Sequence, residues 1–239
     1  MPASGDSGPE RLPAGRHGLP RDFVVTSQRD RILDAMASAC AEKGYASVTV
    51  ADVTERARVS RSTFYELFRD LEDCFLAAYD SVYGKFVAGA LAAYRQTELP
   101  WAERARAALE SMLAFMAAEP AFARMCMVEP FAAGPTALER YLSAVNLISA
   151  MLDEGRREGD RIDRAPASLA KGIVSGAAEV IRQQILAGRT ERLPDLGGEL
   201  LYVALAPYLG QREALRAAGV EPAGIEPATS CLQSRRSPN

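Results

Sequence analysis

Between Thr49 and Phe68 the chain reads TVADVTERARVSRSTFYELF, two short amphipathic segments meeting at a tight polar break. Few arrangements satisfy both segments at once. Thr49 is suited to cap the first, with Asp52 three residues on as the acidic partner of a capping box, and Val50, Val53 and Ala57 follow at helical spacing. Ser60 supplies a second N-cap, and Phe64, Leu67 and Phe68 share one face of the next helix at i, i+3 and i+4. An advance of about 100° per residue puts Ser62, Tyr65, Glu66 and Arg69 on the outward arc, flanked by Arg61 and Thr63 near the helix N-terminus. The pattern predicts a helix-turn-helix whose second helix is propped from behind by aromatic rings. An ordinary surface helix packed on two neighbours is the alternative reading of this window.

Charge favours the first reading. From Arg56 to Arg69 the cations are Arg56, Arg58, Arg61 and Arg69 against Glu66, although the chain as a whole has a formal net charge of -3. Such a local positive patch suits phosphate contact, and a short helix fits the major groove of duplex DNA.

The rest of the chain keeps helical periodicity and shows no alternating strand signature, which predicts an all-α protein. Ser27 is expected to cap a first helix whose buried stripe is Ile32, Leu33, Met36, Ala39 and Cys40, ended by Gly44, with Tyr45 and Val48 sealing a small core. A long aromatic helix begins near Asp70 and runs to about Gln96, carrying Leu71, Phe75, Tyr79, Val82, Tyr83, Phe86, Leu91 and Tyr94. A rigid strut and a lever joining two halves both fit that stripe. Further helices are expected over 100–118, 120–128, 134–158, 166–187 and 194–209, with Pro100 in a first turn and breaks at Pro120, Pro130, Gly134-Pro135, Pro166 and Pro194. The domains expected are a disordered arm over 1–24, the helix-turn-helix domain over 25–69, a helical ligand-binding and dimerisation domain over 70–212, and a disordered tail over 213–239. Arg11, Arg16 and Arg21 of the arm suit either the minor groove or solvent.

Hydrophobic residues make up 48% of the 239, ample for a buried core. No apolar run approaches the roughly 18–20 residues of a membrane span, and no signal peptide opens the chain, so a cytoplasmic protein is expected. Cysteines at 40, 74, 126 and 231 are too scattered for a zinc motif and read as reduced packing residues, with Cys126 as a thiol sensor the alternative. The single histidine, His17, has no catalytic pairing, and no glycine-rich phosphate loop is present, so no enzyme, metal or cofactor is expected.

Residues 27–75 resemble the N-terminal DNA-binding domain of the TetR/AcrR family of one-component transcriptional regulators. The resemblance is carried by RDRILDAMASACAEKGY as first helix and glycine stop, SVTVADVTERA as second helix, VSRSTFYELF as recognition helix, and DLEDCF opening the fourth. It implies that Thr49 and Tyr65 touch phosphates while Arg61, Ser62 and Thr63 face bases or the adjoining backbone. Two positions depart from the family pattern. Arg58 stands where the turn usually has glycine, so a positive φ there would cost about 1 kcal/mol, offset if its guanidinium reaches phosphate. Leu71 stands where a phosphate-contacting lysine is common, and Arg69 is a substitute two residues earlier.

Phe115, Met116, Phe122, Met125, Cys126 and Phe131 form a soft apolar set suited to line a ligand cavity, completed by Tyr83, Trp101 and Tyr141. Ordinary core packing is the alternative for each. Glu119 and Glu129 read as solvated helix-end acids, or as partners of a cationic ligand. Helices 166–187 and 194–209 carry small residues, Gly172, Ser175, Gly176 and Ala177, beside abundant apolar ones, and suit an isologous four-helix dimer interface, which the resemblance also implies. The function expected is a homodimeric repressor released from a palindromic double-stranded DNA operator by a small apolar effector. An all-α small-molecule enzyme or carrier, and a DNA-binding regulator with no small-molecule input, are the alternatives.

Overall fold

Helix α1 spans Arg21–Lys43 and buries Ile32, Met36, Ala39 and Cys40 along one stripe, as their spacing requires. The computed structural model describes residues 21–96, 98–157 and 165–220, and every regular element among them is helical. Ser27 lies inside α1 and does not cap it. No proline or glycine stands between Pro20 and Gly44, so nothing interrupts the helix before Gly44 ends it with φ +75°. Arg11 and Arg16 of the expected arm fall outside the described residues.

A single 3-10 turn, Tyr45–Ser47, leads into α2 (Val50–Ala57), and α3 (Arg61–Leu67) follows after the break. The capping box forms as its residues predict: the Thr49 side chain accepts from the Asp52 backbone, and Asp52 accepts from the Thr49 backbone at 2.8 Å. Asp52 also pairs with Lys43 at 2.6 Å, so the α2 cap is tied to the end of α1.

Asp70 caps the long helix α4 (Leu71–Tyr94), which leaves the first domain and enters the second. There α5 (Trp101–Ala118), α6 (Pro120–Met127), the one-turn α7 (Pro130–Ala133) and α8 (Pro135–Asp153) pack with α9 (Leu169–Leu186), α10 (Gly197–Leu209) and α11 (Gln211–Ala218). The helix expected over 134–158 ends earlier, in a 3-10 turn at Glu154–Arg157. The helix expected from 166 begins at Leu169, and the stretch before α10 is a 3-10 turn over Thr190–Leu196. The tail expected from 213 starts too soon, because α11 buries Ala214 and Ala218 among Trp101, Leu205 and Tyr208. Its small side chains carry little hydrophobic signal, yet they let it lie close against α10.

One apolar core unites Ile32, Met36, Val53, Phe64 and Phe75 with Phe122 and Met125 of α6, so the first domain and α6 share an interior. A second gathers Tyr94, Trp101, Val145, Leu205 and Tyr208. Among the described residues, no helix is long and apolar enough to cross a membrane.

Candidate nucleic-acid interface and effector cavity

Phe64 and Phe68 are buried side by side with ring centroids 5.6 Å apart, and this fixes which arc of α3 faces outward. Arg61, Ser62, Tyr65, Glu66 and Arg69 are exposed there, Tyr65 by 53%. Ser60 caps the helix by accepting from the Thr63 backbone at 3.0 Å, and its hydroxyl lies 2.9 Å from that of Thr63, which is half-buried. Ser62 donates to Glu66 at 3.2 Å. Arg58 and Arg61 form no ion pair among the described residues, whereas Arg56 pairs with Glu42 and Arg69 with Asp73 at 3.2 Å. Arg69 nonetheless stays 82% exposed, so the pair is solvent-screened and open to competition from phosphate.

Arg58 adopts the left-handed conformation, φ +55° and ψ +47°, alone among the described non-glycine residues. Its backbone N–H bonds to the Glu55 carbonyl at 3.1 Å, and Val59 reaches back to Thr54 at 3.0 Å. The turn thus keeps the shape a glycine would give it, with an exposed guanidinium added. At the opposite end of α2, Thr49 is exposed with its hydroxyl held in the capping box. Of the seven expected DNA-contacting residues, Arg58, Arg61, Ser62, Thr63, Tyr65 and Arg69 lie at the α2–α3 turn, on α3 or just past its end, while Thr49 lies at the start of α2.

The second domain encloses an apolar cavity of about 140 Å³ between α4, α5, α6, α8, α9 and α10. Of the residues expected to line it, Tyr83, Met116, Phe122, Cys126 and Tyr141 do. Phe115 stands one layer back, packed on Phe86 and Phe122. Met125 does not line the cavity and packs instead in the core shared with α1. Trp101 is fully buried against Tyr208, centroids 5.1 Å apart, and Phe131 is 59% exposed against Tyr141. Ile148, Met151, Ile173 and Leu201 complete the wall. They were missed because no local window unites residues from α8, α9 and α10.

Burial raises the Cys126 thiol well above its ordinary range, and it pushes those of Cys40 and Cys74 up to about 12. A thiol held protonated in this way is a poor nucleophile, which disfavours the sensor reading of Cys126.

Glu129 overturns its expectation as a solvated acid. It is 4% exposed, accepts the Tyr45 backbone N–H at 2.8 Å, and lies 2.9 Å from Arg124 Nε. The same Nε is 3.2 Å from the Cys40 carbonyl at the end of α1. Arg124 and Glu129 thereby hold the end of α1 from the second domain, while Phe122, Cys126 and Met127 of the same segment line the cavity. A buried acid leaves no hydropathy signature, since its partners lie 84 residues away in sequence.

Residues 32–78 match the sequence profile described as bacterial regulatory proteins, tetR family. Among solved structures, the fatty acid degradation regulator FadR from Bacillus halodurans is 21% identical with a TM-score of 0.66, the match covering 77% of this chain and 96% of that one. FadR from Bacillus subtilis, solved in complex with stearoyl-CoA, is 18% identical with a TM-score of 0.64, covering 76% and 98%. An ArpA-like gamma-butyrolactone receptor is 16% identical with a TM-score of 0.62, covering 82% and 96%. No curated protein sequence matches the chain. Residues 32–78 are thus similar to the N-terminal domain of the tetR family of bacterial regulatory proteins, and the chain as a whole shares the fold of these solved structures.

Proposed function

We propose that the protein is a DNA-binding transcriptional regulator, a repressor that leaves a palindromic operator when a small apolar molecule fills its cavity. The carrying observation is that α4 runs from the DNA-contacting face to the cavity, and that α6 joins the cavity to α1. Helix α4 starts beside Arg69 and goes on to line the cavity with Tyr79, Tyr83 and Phe86, while α6 faces the cavity and packs on α1. The ligands named for the Bacillus subtilis FadR and the gamma-butyrolactone receptor support a ligand-responsive reading.

In this reading Thr49, Arg58, Tyr65 and Arg69 position the domain on phosphates, and Arg61, Ser62 and Thr63 face base edges or the adjoining backbone. The protein works as a homodimer through α9 and α10, in the cytoplasm where its operator lies. Supporting this, Gly172 and Gly176 have open space where a side chain would stand, and Val180, Leu186 and Val203 are exposed, Val203 by 54%. An isologous pairing of those faces presents two copies of α3 about one DNA repeat, ~34 Å, apart. The effector acts by population shift: it weakens DNA binding only as far as it prefers the conformation with the wrong spacing.

Gel shift and footprinting on the protein's own promoter region test the reading. Tyr65→Ala is expected to weaken binding to all sequences, and Arg61→Ala also to relax base preference, each by about 1–3 kcal/mol. Equal loss on every DNA from both changes removes base reading from Arg61, and no preference for any genomic fragment removes the function. Val203→Glu is expected to yield monomers in sedimentation and to abolish tight operator binding.

A further inference from the structure

The two ends of the cavity differ chemically. Helices α4 and α8 run in the same direction on two sides of the cavity, and Asp80 and Arg140 form a two-pronged pair at 2.7 and 2.8 Å at the end nearer the DNA-binding domain. At the other end the Tyr94 hydroxyl lies 2.8 Å from both the Met151 carbonyl and the Glu154 carboxylate. Tyr83, one turn after Asp80 on α4, and Tyr141, next to Arg140 on α8, both line the cavity near that pair.

Their hydroxyls are also unlike the others. Tyr79 is bonded to Cys126 and Tyr94 is tied as described, but neither the Tyr83 nor the Tyr141 hydroxyl has a hydrogen-bond partner among the described residues. Burial raises both above the ordinary phenol value, so each remains a neutral O–H donor at physiological pH. Beyond them, toward Tyr94, the wall is Ile148, Met151, Leu152, Val174 and Leu201. No lining residue carries a formal charge, and the charges near Tyr141 neutralise one another in the Glu179–Arg182 pair at 2.8 Å.

We propose that Tyr83 and Tyr141 select the head group of the effector: the cavity takes an uncharged, chain-like molecule whose oxygen acceptor binds these hydroxyls and whose hydrocarbon tail runs toward Tyr94. This assignment rests on reading the cavity as the effector site. An acceptor oxygen satisfies donors that are otherwise half-buried and unpaired, whereas a carboxylate there leaves water without a counter-ion. Tail length follows from the helices. Tyr83 and Tyr94 are eleven positions apart, about 16 Å along α4 at 1.5 Å per residue. An extended chain with carbon–carbon bonds near 1.5 Å advances roughly 1.25 Å per bond, so a tail of about a dozen carbons fills that length.

The test is ligand-induced thermal stabilisation of the full chain by 1-dodecanol, dodecane and dodecanoate, repeated on Tyr83→Phe and Tyr141→Phe. Each substitution removes one oxygen and leaves the ring in place, so the unliganded melting temperature is expected to stay that of the wild type. The wild type is expected to bind dodecanol most tightly. Each variant is expected to bind dodecanol about three- to tenfold more weakly while its dodecane binding is unchanged. Equal dodecanol affinity in wild type and both variants overturns the head-group assignment alone, as does tighter binding of dodecanoate than of dodecanol. Stabilisation by none of the three probes overturns the cavity reading itself.

Discussion

Glu129 accepts the backbone N–H of Tyr45 at 2.8 Å, joining the segment after α6 to the turn after α1. The bond crosses the boundary between the DNA-binding and cavity-bearing domains, and Arg124 completes it by facing both Glu129 and the Cys40 carbonyl. Gly44 lies against this contact and holds a φ of +75° that favours glycine.

Glu129→Ala leaves the part-buried Tyr45 N–H without its acceptor and the Arg124 guanidinium with only the Cys40 carbonyl, and is expected to destabilise the protein by about 1–2 kcal/mol in urea unfolding. Glu129→Gln keeps an acceptor for Tyr45 and is expected to cost about 1 kcal/mol less. Equal stability of Glu129→Ala and wild type would mean that the contact holds nothing in place.

Arg58→Gly relieves a left-handed backbone that only glycine adopts freely, so the unfolding midpoint is expected to rise by the equivalent of about 0.5–1 kcal/mol. DNA affinity is expected to fall in the same variant, because the guanidinium beside the turn is lost. A variant that is less stable than wild type contradicts the strain.

Asp52 is held down to about 2, first by its bond from Lys43 and then by those from Thr49. A carboxyl depressed by folding contributes stability above its unfolded value and loses it as pH falls through the folded one. The gap in urea midpoint between wild type and Asp52→Asn is therefore expected to be full at neutral pH and to close from about pH 4 to about 2. A gap independent of pH assigns the effect to something other than this charge.

Gly155→Ala places a methyl 2.4 Å from the Trp101 ring, closer than any real contact, and Trp101 is fully buried against Tyr208. The substitution is expected to cost about 2–3 kcal/mol by overpacking and to shift the emission of the chain's single tryptophan. Unchanged emission at unchanged stability contradicts the packing described.

The helix-turn-helix was legible almost residue by residue, because capping and aromatic spacing act within one or two turns. Thr49, Asp52 and Ser60 cap as their types require, and Phe64 and Phe68 turn inward as their spacing requires. The cavity was half legible: Tyr83, Met116, Phe122, Cys126 and Tyr141 line it, while Trp101, Phe115, Met125 and Phe131 do not. Softness and apolarity mark residues able to line a cavity, but core and cavity draw on the same side chains.

Local chemistry in the chain alone determined that the protein is all-helical, where its helices break and which arc of α3 is polar. Only the tertiary structure decided that Glu129 is buried, that α11 packs, and which face of each helix meets open space. Caps, breakers and amphipathic stripes act between neighbours in sequence, so one strand of text carries them. Burial and cavity shape depend on elements brought together from far along the chain, and their register is set by the packing of the whole.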